Sequence, residues 1–152
     1  MCNGCWVAFI VENQTDERFQ LRFNDTTLEW GSIAYYHRDK KDQDPWVPDP
    51  RLDLDHGKYD TWSPYLCQDV WAGGSAQICF AGKGLSGAQG EIYLDSAHGT
   101  IFKIKFNIDH HTFGTSDGSF NIEDVQSGFD VTSERNGGKD PLGEQIIRVK
   151  RK

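Results

Sequence analysis

The stretch Phe102-Lys103-Ile104-Lys105-Phe106-Asn107-Ile108 alternates apolar and polar residues without a break. In an extended chain successive side chains point to opposite faces, so such a run buries one face and wets the other. That is the signature of a strand in an antiparallel sheet with a single core face. Outward from it, Ile92 and Leu94 straddle Tyr93, Ile147 and Val149 straddle Arg148, and Phe19, Leu21 and Phe23 alternate with Gln20 and Arg22. Near the start, Val7, Phe9 and Val11 alternate with Trp6, Ala8 and Ile10.

Turn residues separate these runs: Asn24-Asp25, Ala97-His98-Gly99, Ser116-Asp117-Gly118 and Asn136-Gly137-Gly138. No segment carries a convincing helical stripe, and sixteen glycines suit tight connections better than helices. There is no internal repeat and no linker. The expectation is an all-β fold, a single antiparallel β-sandwich in one domain over residues 1–152. At 152 residues a core needs no disulfide or metal staple.

The formal charge of -7 argues against nucleic acid, which needs a basic face to neutralise phosphates. It also argues against purely electrostatic docking on anionic lipid. No run is long and apolar enough to span a bilayer, and the start of the chain has no basic region or long apolar run of a signal peptide. The expectation is a soluble chain, cytoplasmic or released by an unconventional route. Asn13-Gln14-Thr15 and Asn24-Asp25-Thr26 fit the glycosylation pattern and are read as turn chemistry. Cys2, Cys5, Cys67 and Cys79 are read as free thiols, because the Cys2-x-x-Cys5 pair has no second close pair to complete a metal site.

One region breaks the pattern. Between residues 30 and 71 lie Trp30, Trp46, Trp62 and Trp71, with Tyr35, Tyr36, Tyr59 and Tyr65 and four of the five prolines, while all nine Phe lie outside it. Phe suits a core; Trp and Tyr carry a polar handle and suit surfaces that are half apolar and half wet. Any single ring could cap an end of the sandwich, but eight rings in one Pro-rich stretch point to a ligand-facing surface. The residues from about 43 to 70 read as a loop insertion.

Several segments resemble the aegerolysins, small β-sandwich proteins. Cys5-Trp6-Val7 is similar to their Gln-Trp-Val start, and Leu28-Glu29-Trp30-Gly31 to their Leu-Ser-Trp-Gly motif, followed here by the charged Asp39-Lys40-Lys41-Asp42. Cys79 to Gly84 stands where the family has a Cys-Gly-Arg segment, and Gly87-Ala88-Gln89-Gly90-Glu91-Ile92-Tyr93 resembles its glycine turn into the next strand. Asp109 with Phe113-Gly114-Thr115 resembles an Asp-Cys-Pro-Trp-Gly-Ser loop, and the close from Gly137-Gly138 to Arg151-Lys152 resembles the family's last turn, strand and basic tail.

The resemblance implies a protein that binds a membrane lipid, with sphingolipid head groups as candidates. It also implies the recognition half of a two-component cytolysin, paired with a larger perforin-like partner. It implies Trp6, Trp30 and Phe113 as membrane-facing rings and Thr115 and Ser116 as head-group contacts. Trp46 and Trp62 of the insertion are added from the aromatic clustering. An apolar ring wedged at head-group depth would supply about 1–3 kcal/mol. Three departures stand out: His110-His111-Thr112 replaces the Cys-Pro before the loop aromatic, Ser116 stands where sphingolipid binders place a Lys, and Ser86 stands where some place a Glu.

Two other readings draw on the same residues. A soluble carbohydrate- or protein-binding sandwich, lectin-like, would use the aromatic insertion as a groove. A hydrolase would use Asp109 and His111. No motif supports catalysis, no cofactor is implied, and neither His110-His111 nor Asp49, Asp53, Asp55 and Asp60 completes a metal-ligand spacing.

Overall fold

The structure is a computed structural model, and it describes residues 6–23, 32–34, 38, 67–81, 87–110, 116–137 and 142–152. Among the described residues there are ten strands: β1 (Trp6–Asn13), β2 (Phe19–Phe23), β3 (Ser32–Ala34), β4 (Cys67–Val70), β5 (Ser75–Ala81), β6 (Ala88–Ser96), β7 (Gly99–His110), β8 (Ser116–Glu123), β9 (Phe129–Arg135) and β10 (Gly143–Arg151). They form two five-stranded sheets. Sheet A has the order β3-β5-β1-β10-β9 and sheet B the order β4-β2-β6-β7-β8.

The two sheets face each other across the core, as the alternating runs require. Val7, Phe9 and Val11 of β1, Phe19, Leu21 and Phe23 of β2, Ile92 and Leu94 of β6, and Ile147 and Val149 of β10 all point into it. From β7 come Phe102, Ile104, Phe106 and Ile108. Eight phenylalanines are described; seven are buried and Phe120 is packed against the cluster at its edge. Phe80 sits 4.4 Å from Phe106 and 5.2 Å from Phe23, while Phe9 meets Phe120 edge-on at 5.5 Å, so the rings interlock across both sheets. A register shift at Leu94/Asp95 near the β6–β7 turn lets the adjacent Ile101 and Phe102 both be buried.

All pairings are antiparallel except one: β1 runs parallel to β10, Val7 lying beside Gly143 and Asn13 beside Val149. The first and last strands are therefore neighbours in the middle of sheet A. The last four residues of the expected 43–70 insertion are themselves a strand, β4, which closes one edge of sheet B by pairing Cys67 with Arg22 and Val70 with Phe19.

The Asn13-Gln14-Thr15 tripeptide is turn chemistry. Asn13 is 1% exposed. Its amide donates to the carbonyls of Glu17 at 2.7 Å and Val70 at 3.0 Å, and its oxygen accepts from the backbone and hydroxyl of Thr15. A buried amide so fully engaged ties the β1–β2 turn to β4 and offers no nitrogen for a glycan.

Candidate functional site

The register fixes which residues share an end of the sandwich. Trp6 pairs with Ala81 and Ser32 with Ala81, Gln145 pairs with Arg135, and His110 pairs with Ser116. The starts of β1, β3, β6, β8 and β10 and the finishes of β2, β5, β7 and β9 thus gather at one end. The opposite end holds the β1–β2, β4–β5, β6–β7 and β8–β9 turns. The described strand ends that flank several of the chain positions expected to touch lipid lie at this first end. Trp30 lies two residues before β3, and Phe113 and Thr115 lie in the connection between the paired His110 and Ser116.

Trp6 starts β1 at this end, but the expectation of a membrane-facing ring there is corrected. Its side chain is 1% exposed and belongs to a second apolar cluster with Ala8, Ile10, Cys79, Ala81 and Ile146. These residues lie on the face of sheet A that points away from the main core. The physical reason is that β1 is the middle strand of sheet A and is covered on both faces, so the indole is packing surface. Ser116 is the first residue of β8. Trp30, Trp46, Trp62, Phe113 and Thr115 lie outside the described residues, as do Cys2, Cys5, His111 and the acidic cluster at Asp49, Asp53, Asp55 and Asp60.

Two features of this end have no strong signal in the sequence. Gly87, just before β6, packs so close to β7 that a Cβ would sit 1.6 Å from the Ile108 carbonyl oxygen. Only glycine allows that approach. The other is Glu144 on β10, whose side chain is 0% exposed beside Ala8 on the covered face of sheet A. Its carboxylate accepts from Arg38 Nε at 3.0 Å and Nη2 at 3.3 Å, and from Asn136 Nδ2 at 2.6 Å.

The outer face of sheet B is different in kind. Arg22 lies 4.4 Å over the Tyr93 ring and 2.7 Å from Asp95, and Thr100 Oγ1 donates to the same carboxylate at 2.8 Å. The hydrogen bond to Asp95 is the main reason the Arg22 guanidinium is held above its ordinary pKa. Lys105 faces Glu91 and Lys103 faces Glu123 across neighbouring strands. Cys67 stands on this face as an exposed free thiol. Partial burial, then the nearby carboxylates of Asp69 and Asp95, push its pKa up.

At the far end Trp71 is 60% exposed, with Arg18 stacked 4.9 Å above it and paired to Asp69 at 3.0 Å. Asp109 of the enzyme reading is exposed on β7. No group of three or more His, Cys, Asp and Glu that could hold a metal occurs among the described residues, and no helix among them is long and apolar enough to cross a membrane.

No protein-family model matches the sequence, and no curated protein matches it. Solved structures do. RahU, crystallised with a TRIS molecule, superimposes with a TM-score of 0.66 at 16% identity over 96% of this chain and 94% of that one. IP-1A from Alcaligenes faecalis gives 0.60 at 15% identity over 98% and 92%. The likeness runs through nearly the whole of both chains, and it is a likeness of backbone more than of residues. The sandwich built here from alternating runs and a parallel first-to-last pair is the aegerolysin fold.

Proposed function

We propose that the chain, acting as one domain, binds a membrane lipid with a sphingolipid-type head group and serves as the recognition component of a two-component cytolysin with a perforin-like partner. What supports this reading is that described strand ends flanking the expected residues in the sequence share one end of the sandwich. β3 starts there two residues after Trp30 in the sequence, and β7 finishes and β8 starts there on either side of Phe113–Thr115 in the sequence, so in this reading one approach to a surface would engage both. Shallow insertion of such rings, with Thr115 and Ser116 on the head group, is adhesion without bond-making. The rigid double sheet behind them supplies orientation. Trp46 and Trp62 extend the same apolar surface in this reading, and Trp6 acts from behind as packing.

The test is co-sedimentation with vesicles of sphingomyelin and sterol, of ceramide phosphoethanolamine, and of phosphatidylcholine alone. Selective pelleting with one sphingolipid is expected. Trp30→Ala should weaken it on the order of tenfold or more, the loss of one inserted ring, with an unchanged unfolding midpoint. Failure on every lipid sinks the reading, and an equal loss of binding and stability makes Trp30 a core residue.

The carbohydrate- or protein-binding alternative draws on one observation, the exposed Trp71 with Arg18 and Asp69 beside it, a composition enriched at binding hot spots. Binding on a glycan array that Trp71→Ala abolishes, with no vesicle binding, would favour it.

A further inference from the structure

The chain leaves β9 through Asn136-Gly137, an Asn-Gly pair; the other in the sequence, Asn3-Gly4, lies outside the described residues. With no Cβ on the following residue, its backbone nitrogen approaches the Asn side-chain carbon with little obstruction. Asn136 and Gly137 both stand opposite Glu144: Asn136 N donates to the Glu144 carbonyl at 2.8 Å, and Glu144 N donates to the Gly137 carbonyl at 3.1 Å. Two residues against one make a bulge, with Gly137 in the left-handed region at φ 79°. Gly137 is exposed, and its N–H has no hydrogen-bond partner among the described residues. A nucleophilic nitrogen, solvent water and an amide carbon are thus neighbours. One contact restrains them. Asn136 Nδ2 donates at 2.6 Å to the carboxylate of Glu144, whose side chain is 0% exposed, and a short bond to a carboxylate fixes the amide in one orientation.

We propose that Asn136-Gly137 is a deamidation site that Glu144 holds shut, so that conversion waits for this end of the β9–β10 ladder to open and then keeps it open. In the step, the Gly137 nitrogen bonds to Asn136 Cγ and the Cγ–Nδ2 bond breaks. Nδ2 leaves as ammonia, with the proton that the Gly137 nitrogen gives up. Solvent water then opens the cyclic imide at one of its two carbonyls, leaving aspartate or isoaspartate. Either product sets an acceptor where the amide donated, facing the buried Glu144 carboxylate. Isoaspartate also lengthens the backbone inside the bulge, between the two bonds to Glu144. The change is one-way, and it needs nothing beyond water.

The experiment incubates the full chain in heavy-oxygen water at mildly alkaline pH, folded and in urea, and maps the peptide holding Asn136 by mass spectrometry. Heavy oxygen enters only where the imide has been hydrolysed, and an isoaspartate-specific methyltransferase counts that product. In urea Asn136 should convert, with isoaspartate among the products. In the folded chain it should convert at least about tenfold more slowly, the protection of a segment that reacts only on opening. No conversion in urea overturns the site, and equal rates in the two states overturn the restraint. Glu144→Met keeps roughly the volume and removes the acceptor; it should raise the folded-state rate about tenfold, the measure of one hydrogen bond to a charged group. An unchanged rate in that variant overturns the role of Glu144. If it does not fold, Glu144→Gln replaces it, with a several-fold rise expected and an unchanged rate equally fatal. Asn136→Asp imitates one product. Hydrogen exchange should rise in 135–137 and 143–146 while β6 and β7 stay as in the wild type. Exchange identical to the wild type, or a rise spread evenly over both sheets, overturns the claim that conversion keeps the ladder open.

Discussion

The two outer faces of the sandwich are opposites. On sheet A, Trp6, Ala8, Ile10, Cys79, Ala81 and Ile146 form an apolar cluster with a buried carboxylate at its margin. On sheet B the equivalent face is a lattice of Arg22, Tyr93, Asp95, Glu91 and Lys105 in water. The sequence carries the difference openly. Trp6 to Val11 is apolar at every position, as a strand covered on both sides must be, whereas Phe102 to Ile108 alternates. Reading this run with the alternating strands gave it one wet face, and the family resemblance then drew Trp6 toward the membrane; the structure buries both faces.

The sharpest way to break this comparison is to delete a ring from the covered face. Trp6→Ala should cost about 3–5 kcal/mol, the transfer and cavity cost of a buried Trp. The check is urea unfolding with a lowered midpoint at constant slope. A loss within the range of surface substitutions would mean the indole is not packed. Vesicle binding by the folded fraction should persist, in contrast to Trp30→Ala.

The free thiols test the same contrast chemically, in a Cys2→Ser, Cys5→Ser background. Cys79, on the covered face, should resist labelling until the protein unfolds; Cys67, on the open face, should label in the native state. Because the Cys67 pKa is raised, less thiolate is present at any given pH, and its rate should keep climbing above the pH where an ordinary thiol levels off. Asp69→Asn should speed labelling by removing a carboxylate that opposes the thiolate. A native-state rate for Cys79 matching that of Cys67 would collapse the distinction between the faces.

The smallest effect belongs to the open face. Lys105→Ala should change stability by no more than about 0.5 kcal/mol, since its pairing with Glu91 is long and solvated. A much larger loss would show that the lattice on sheet B is structural rather than decorative.

How much could be read from the residues follows from locality. β2, β6, β7 and β10 declared themselves because their alternation is complete within one strand. β9 did not: only Phe129 and Val131 of its seven residues pack inward, because an edge strand has half a core to face. β4 was absorbed into a Pro-rich insertion, its four residues too few for a pattern. The Arg38–Glu144 pair and the parallel β1–β10 ladder join distant parts of the chain, and no spacing announces them. The aromatic clustering was legible as composition, yet composition does not say which rings are packing and which are surface, as Trp6 and Trp71 illustrate from opposite ends.

That parallel ladder also sets the order in which the molecule can be made. Arg148 reaches Glu12 across 136 residues, so β1 gains its second neighbour only when the final strand has been synthesised. Until then a strand apolar on both faces has β5 on one side and an open edge on the other. Pairings of such long range make folding slow, and an unpartnered apolar edge invites association between nascent chains. Yield on expression should therefore respond more to chaperone supply and temperature than the stability of the finished sandwich would suggest.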